Sequence, residues 1–133
     1  MRYFGIDEAN GLIPLLTQTF DRVRPMVQRL IEVEESLQGV SPADALRLGR
    51  WRLERFELFR SILGELEPLQ EVGIEVKSAD GLVDFRAQLH GRSVYLCWRY
   101  GETAIAHWHE PGAGYAHRHP IAHAQDFTPT YLS

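Results

Sequence analysis

Residues 82–99 read LVDFRAQLHGRSVYLCWR, and this stretch decides the fold. Apolar and polar side chains alternate through most of it, as in β-strands that have one buried face. The dipeptide His90-Gly91 divides the stretch into equal halves, and Gly91 supplies the positive φ angle of a tight turn. The stretch therefore predicts an antiparallel hairpin with strands at residues 82–89 and 92–99.

The alternating pattern continues on both sides of this hairpin. IEVK at residues 74–77 precedes it, and TAIAHWH at residues 103–109 follows it after a turn at residues 100–102. These segments predict further strands, so residues 74–109 are expected to form a small antiparallel β-sheet of three to four strands. Residues 110–133 are rich in Gly, Pro and His, and they are expected to form an irregular loop and C-terminal tail.

Residues 1–73 have a helical pattern instead. From Leu16 to Leu30 apolar residues recur at spacings of four and three, which places them on one side of a helix. After a short link at residues 38–40, Ser41 is the expected N-cap of a second helix and Pro42 its first residue. The short link predicts a long antiparallel helical hairpin. The second helix is expected to turn one apolar series towards a partner: Leu46, Leu53, Phe56, Phe59, Leu63, Leu66 and Leu69.

Length and composition are typical of one soluble α+β domain over residues 1–133. The chain has 133 residues, a formal net charge of -4 and 44% hydrophobic residues, which suffice for one hydrophobic core. Cys97 is the only cysteine, which excludes an internal disulfide and favours a reducing compartment. No secretory signal or membrane-spanning run is recognisable, so a cytoplasmic location without membrane contact is expected.

The sequence lacks the motifs of common cofactor enzymes. There is no phosphate-binding glycine loop, dinucleotide fingerprint or nucleophile elbow, and no nucleotide cofactor is therefore expected. Several arginines surround Trp51, but Glu54 and Glu57 lie at helical spacing from them and the chain as a whole is acidic. This balance favours a solvated helix face over a nucleic-acid partner.

The two faces of the predicted sheet differ in chemistry. If both turns keep a simple register, Asp84 lies roughly beside Cys97, and on the same face Tyr95 lies beside His107. This face also receives Arg86, Ile105 and His109. The opposite face is apolar and is expected to pack on the helices; its members are Val83, Phe85, Ala87, Val94, Leu96, Trp98, Ala104, Ala106 and Trp108.

The polar face predicts a metal site. Zinc and similar ions bind imidazole, thiolate and carboxylate, and two histidines spaced by two on a strand project to the same side. The predicted ligands of a divalent transition metal are Asp84, Cys97, His107 and His109. A slip of one residue in the register would disperse this set, and a free cysteine more often packs as a small apolar side chain. The nearby His117, His119 and His123 either add ligands or belong to a solvated tail.

Several segments resemble the bacterial family named domain of unknown function 2203. They are FGIDEANGLIP at residues 4–14, GIEVK at 73–77, GLVDF at 81–85, VYLCW at 94–98, Gly101-Glu102 and Trp108-His109-Glu110. The resemblance spans almost the whole chain and implies a small cytosolic bacterial protein, but no activity. It carries over these positions as shared features: Asp84, Cys97, Glu102, His109, Glu110, Gly114 and Arg118. Gly5 and Arg86 depart from the family pattern, which more often has a hydroxyl cap and a proline there.

Two functions compete as hypotheses. The first is a small metal-binding domain that uses the polar sheet face. The second is a non-enzymatic interaction or regulatory module, a homodimer paired through its helices, in which Glu102, Glu110 and Arg118 form structural ion pairs. A third hypothesis, binding of a small anion by Arg86, Arg118 and the loop histidines, has only charge to support it.

Overall fold

The computed structural model describes residues 2–127 and consists of two long helices followed by an antiparallel sheet. Its helices are α1 (Ile6–Gly11), α2 (Ile13–Gly39) and α3 (Ala45–Glu71), and its strands are β1 (Ile74–Ser78), β2 (Leu82–Leu89), β3 (Arg92–Arg99), β4 (His107–His109) and β5 (His119–Pro120). The strands are adjacent in chain order. The predicted α+β fold with a long helical hairpin is confirmed. Within residues 2–127, none of the helices combines the length and apolar character needed to cross a lipid bilayer.

The β2–β3 hairpin agrees with its prediction residue for residue. Leu82 pairs with Arg99 at the open end and Leu89 with Arg92 beside the turn. His90 and Gly91 have φ angles of 50° and 83°, which are typical of a type I′ turn, whose twist matches that of the strands. The turn therefore fixes which residues of the two strands face each other.

Strand β4 is shorter than predicted, and its register is displaced by two residues. It pairs Tyr95 with His109 and Cys97 with His107, so the expected pairing of Tyr95 with His107 is wrong. The connection from β3 is longer than the predicted turn, and within it the backbone N–H of Ile105 donates a hydrogen bond to the side chain of Asn10 at 2.7 Å. A displacement by two keeps the side chains of β4 itself, His107 to His109, on their predicted faces.

The residues before β4 do not follow the predicted alternation. Ile105 is buried in the hydrophobic core, although it was expected on the polar face. Ala104 and Ala106 are exposed, although they were expected to pack on the helices. Since these residues belong to a loop rather than to a strand, the two-residue period does not apply to them.

The C-terminal region is more regular than the predicted tail. β5 pairs with β4 through His107–Pro120 and Trp108–His119, which makes the sheet five-stranded. Phe127 is buried and forms a bridge with Leu89. The rest of the predicted tail, residues 128–133, lies outside the described residues.

The hydrophobic core lies between the helical hairpin and one face of the sheet. Its largest member, Trp98, packs near Phe20 of α2 with the ring centroids 6.0 Å apart. The indole N–H of Trp98 donates a hydrogen bond to the backbone carbonyl of Glu102 at 2.9 Å. The core residues from the long helices and the hairpin are Leu16, Phe20, Val23, Ile62, Leu66, Leu69, Val83, Phe85, Ala87, Leu89, Val94, Leu96 and Trp98.

Helix α3 begins three residues later than the predicted start. Asp44, not Ser41, is the N-cap, because its carboxylate accepts a hydrogen bond from the backbone N–H of Arg47 at 3.2 Å. The Ser41 hydroxyl oxygen accepts a hydrogen bond from the backbone N–H of Ala43 in the preceding turn. Serine and aspartate are both good N-caps. In the folded chain the helix begins after Asp44, and Ser41 belongs to the turn before it.

The predicted apolar series of α3 is divided between two environments. Leu66 and Leu69 are buried against the sheet, as expected. The other members are exposed: Leu46, Leu53, Phe56, Phe59 and Leu63. Helices of this length extend about 40 Å, and the core residues of α3 lie near its C-terminal end. Leu46, Leu53, Phe56 and Phe59 therefore lie on the part of the hairpin that projects beyond the sheet. Leu63 lies next to the core residue Ile62 and points to the other side of the helix.

We expect Gly81→Ala to lower the free energy of unfolding by about 2–4 kcal/mol. Gly81 has a φ angle of 118°, and an added Cβ atom would lie 2.5 Å from the Cβ atom of Tyr100. Gly112→Ala is the matched control, because open space surrounds that position. Urea denaturation of both variants measures the difference, and equal stabilities would contradict the strained geometry at Gly81.

Candidate metal centre

Three side chains of ligand type meet on the sheet face that points away from the long helices. Asp84 on β2 lies opposite Cys97 on β3, and His109 projects from β4 to the same side. One ligand atom of each residue lies within 4.8 Å of those of the other two. All three are buried, with exposed fractions of 4%, 1% and 3%. The group therefore takes one donor from each of three neighbouring strands.

Asp84 and His109 are in direct contact. The Nε2 atom of His109 lies 3.0 Å from Oδ1 of Asp84. Burial raises the pKa of the Asp84 carboxyl above its usual value, and the hydrogen bond and charge of His109 offset only part of this rise. A positive charge close to Asp84 would therefore stabilise its ionised form.

The ring of His109 is held by backbone groups of the loop that follows β4. Its Nδ1 atom lies 2.9 Å from the carbonyl oxygen of Glu110, and the N–H of Gly114 points at the same nitrogen from 3.3 Å. When Nδ1 carries the hydrogen, it donates to the Glu110 carbonyl, and Nε2 presents a lone pair towards Asp84. This is the orientation that metal-binding histidines adopt. In the other tautomer Nε2 donates to Asp84, and Gly114 donates to Nδ1.

Cys97 is protonated at neutral pH. Burial and the negative charge of Asp84 raise the pKa of its thiol to about 11, although Arg118 acts in the opposite direction. Nucleophilic cysteines need the thiolate form and solvent access, and Cys97 has neither. Its sulfur is suited instead to a ligand role, because a bound metal ion displaces the thiol proton.

The structure places His107 beside this group but not in it. His107 is paired with Cys97 across the β3–β4 ladder, yet the set of atoms within 4.8 Å of one another does not include His107. Its Nδ1 atom is buried and has no hydrogen-bond partner among the described residues. Of the four predicted ligands, the fold therefore brings together Asp84, Cys97 and His109.

Glu102 and Arg118 form a bidentate ion pair that connects the β3–β4 loop to the segment before β5. The two nitrogen–oxygen distances are 3.2 and 2.8 Å, and Glu102 also accepts a hydrogen bond from the backbone N–H of Arg99 at 2.7 Å. Burial alone would raise the pKa of Glu102, but the bonds from Arg118 and Arg99 hold this pKa below its usual value. This pair braces the β3–β4 loop and leaves little net charge beside the cluster of Asp84, Cys97 and His109.

The other candidate residues lie near the surface. Glu110 is exposed and pairs with Arg92 at 3.4 Å. The histidines of the C-terminal region, His117, His119 and His123, are exposed as well, and the ring of His119 stacks near Trp108. The sequence interpretation missed Asn10, whose side chain accepts a hydrogen bond from the β3–β4 loop two residues before β4. The sequence did mark this residue, because Asn10 lies in the segment FGIDEANGLIP, which belongs to the family pattern.

The fold and this group define a small α+β protein with a buried Asp–Cys–His cluster between adjacent strands. A family model described as "Uncharacterized conserved protein (DUF2203)" matches residues 2–121, and the chain belongs to this family. The resemblance expected from the sequence is thereby confirmed. Neither a curated protein nor a solved structure matches the chain.

We expect Glu102→Gln to lower the free energy of unfolding by about 1–3 kcal/mol at pH 7, because it removes a charged partner of Arg118. The folded-state pKa of Glu102 is lowered, so its contribution is complete above about pH 4.3 and is lost as the pH falls through the folded-state pKa. Denaturant titrations of wild type and variant between pH 7 and pH 3 measure the difference. Glu35→Gln, on an exposed carboxylate, is the control, and a difference independent of pH would contradict the role of the charge.

Proposed function

We propose that this protein binds a divalent transition metal at Asp84, Cys97 and His109, with zinc as the best-matched ion. The observation that supports the proposal is the meeting of oxygen, sulfur and nitrogen donors, all buried and all within 4.8 Å of one another. Zinc accepts this mixture of ligands. Two ligand atoms at about 2.0 Å from a tetrahedral ion lie roughly 3.3 Å apart, which is close to the 3.0 Å between Asp84 and His109.

Charge also favours a divalent cation at this place. Ionised Asp84 and Cys97 carry two negative charges, and burial raises the pKa of both groups. A divalent cation balances these two negative charges. It thereby offsets the free-energy cost of burying each ionised side chain without a partner. Arg118 does not oppose the ion strongly, because Glu102 neutralises it.

The proposed role of the metal is to join strands β2, β3 and β4. Each strand supplies one ligand, and the loop after β4 holds His109 through the Glu110 carbonyl. A groove of about 1150 Å³ lies along α2 and α3, and its lining includes none of the three ligands. The proposal is therefore metal binding, without an enzymatic reaction. A thiolate ligand requires reducing conditions, which supports the bacterial cytoplasm as the proposed location.

A second candidate role is a non-enzymatic module that pairs with another copy of the chain. Five large apolar side chains of α3 are exposed, namely Leu46, Leu53, Phe56, Phe59 and Leu63, and a contiguous apolar surface of this kind is typical of an interaction site. The helices cover one face of the sheet, whereas the metal group lies on the other. The two roles are therefore compatible.

We expect untagged protein to bind one zinc or cobalt ion per chain after dialysis against metal-free buffer and reloading. His109→Ala should weaken zinc binding by at least about 100-fold, more than the loss of a residue that only orients a ligand. Cobalt should give a thiolate charge-transfer band in the near ultraviolet, and Cys97→Ser should abolish this band. Elemental analysis, competition with a chelating dye and absorption spectra provide the measurements.

Two histidine variants serve as controls for the metal experiment. His117→Ala removes an exposed histidine of the C-terminal region and should leave zinc affinity within about threefold of wild type. His107→Ala removes the neighbour of Cys97 and tests whether the ligand set has a fourth protein member. Circular dichroism establishes that each variant is folded. Folded wild-type protein that retains no metal and binds none on reloading would refute the proposal.

A further inference from the structure

We propose that two copies of the chain pair through α3 in antiparallel orientation, about a twofold axis between residues 54 and 55. This inference rests on the second candidate role above and specifies its interface. The surface concerned consists of positions 46, 49, 53, 56, 60 and 63 of α3, and we call it the outer seam. Its spacings alternate between three and four residues, which is the repeat of a two-stranded coiled coil.

Four of the six positions of the outer seam carry large apolar side chains, and these side chains are exposed. The exposed fractions are 84% for Leu46, 58% for Leu53, 58% for Phe56 and 63% for Leu63. Phe59 flanks the seam and is 48% exposed. Large side chains at this density on one side of a surface helix are typical of a protein interface.

The outer seam lies on the side of α3 opposite to α2. The residues that are less exposed along the same part of the helix include Leu48, Trp51, Leu58 and Ile62, which form a second stripe at helical spacing. The directions of the two stripes differ by roughly half a turn, given 3.6 residues per turn. Helix α2 therefore covers the inner stripe and cannot also cover the outer seam.

Antiparallel pairing about the proposed axis matches large residues with large ones. Leu53 then lies against the partner's Phe56, and Leu46 lies against the partner's Leu63, each contact occurring twice by symmetry. At the remaining layer Gly49 faces the partner's Arg60. A Cβ atom at Gly49 would have no heavy atom within 4 Å, so there is space for the long arginine side chain.

Charges beside the seam are complementary to those of a second copy in the antiparallel orientation. In this register Arg50 lies next to the partner's Glu57, at the flanking positions where coiled coils place ion pairs. Neither residue has an ion pair within residues 2–127, and both are exposed. Arg52 similarly lies next to the partner's Phe59, where its guanidinium contacts the ring.

Sedimentation equilibrium of the full chain tests whether the pair exists. We expect a species of twice the chain mass of 15.3 kDa, with Leu53→Glu shifting the protein to the monomer. Because Leu53 is more than half exposed, this variant should keep its helical circular dichroism. A wild-type chain that stays monomeric at 100 micromolar would overturn both this inference and the homo-oligomeric role.

Charge exchange tests the contact between Arg50 and the partner's Glu57. Arg50→Glu alone and Glu57→Arg alone should each raise the dimer dissociation constant by about tenfold, since each places like charges together. The double variant should return to within about threefold of wild type. Single variants without effect, or a double variant weaker than either, would overturn the proposed register.

Disulfide trapping tests the orientation separately from dimer formation. A mixture of Leu46→Cys and Leu63→Cys proteins, distinguished by a tag on one of them, should form mainly the mixed disulfide. Either protein alone should not cross-link, because two copies of residue 46 are roughly 25 Å apart in this register. Cys97 does not compete, being buried with a thiol pKa of about 11. Cross-linking of each variant with itself would overturn the antiparallel pairing while leaving the homo-oligomeric role in place.

Discussion

The structure depends on the register between β2 and β3. His90 and Gly91 form the turn, and their left-handed backbone angles fit the twist of the two strands. A slip of β3 by one residue against β2 would move Trp98 from the core to the opposite face and bring Cys97 under the helices. Burial of a large aromatic side chain is worth about 2–3 kcal/mol, so both the turn and the core select the same pairing.

The same alternation that builds the core also builds the candidate metal group. Successive side chains of a strand point to opposite faces. Trp98 therefore packs under the helices while its neighbour Cys97 lies on the other face, and Phe85 and its neighbour Asp84 are arranged in the same way. That other face would expose these groups to water if the chain ended at β4. The loop from Glu110 to Arg118 covers it, contacts His109 through two backbone groups, and is held by the pairing of Arg118 with Glu102.

The two long strands and the helical hairpin could be predicted from patterns of neighbouring residues. The position of β4 could not, because it involves contacts between residues far apart in the chain. The β2–β3 hairpin follows from alternation and a two-residue turn. The loop that leads into β4 is bonded to Asn10 through Ile105, and these two residues are 95 apart in the chain. The prediction still placed His109 on the same face as Asp84 and Cys97, because the displacement was even. It did not give the contact between His109 and Asp84, which depends on the actual register of β4.

The apolar series of α3 shows why an amphipathic pattern does not identify its own partner. Leu66 and Leu69 pack on the sheet, while Leu53 and Phe56 belong to the same predicted series and are exposed. Spacings of three and four describe any side of a helix, so the sequence alone cannot separate an internal stripe from an external one. Helix α3 is apolar on two opposite sides over its first half, where α2 is its neighbour among residues 2–127. A helix of that kind needs neighbours on both sides, and a second helical hairpin would make the projecting part a four-helix arrangement.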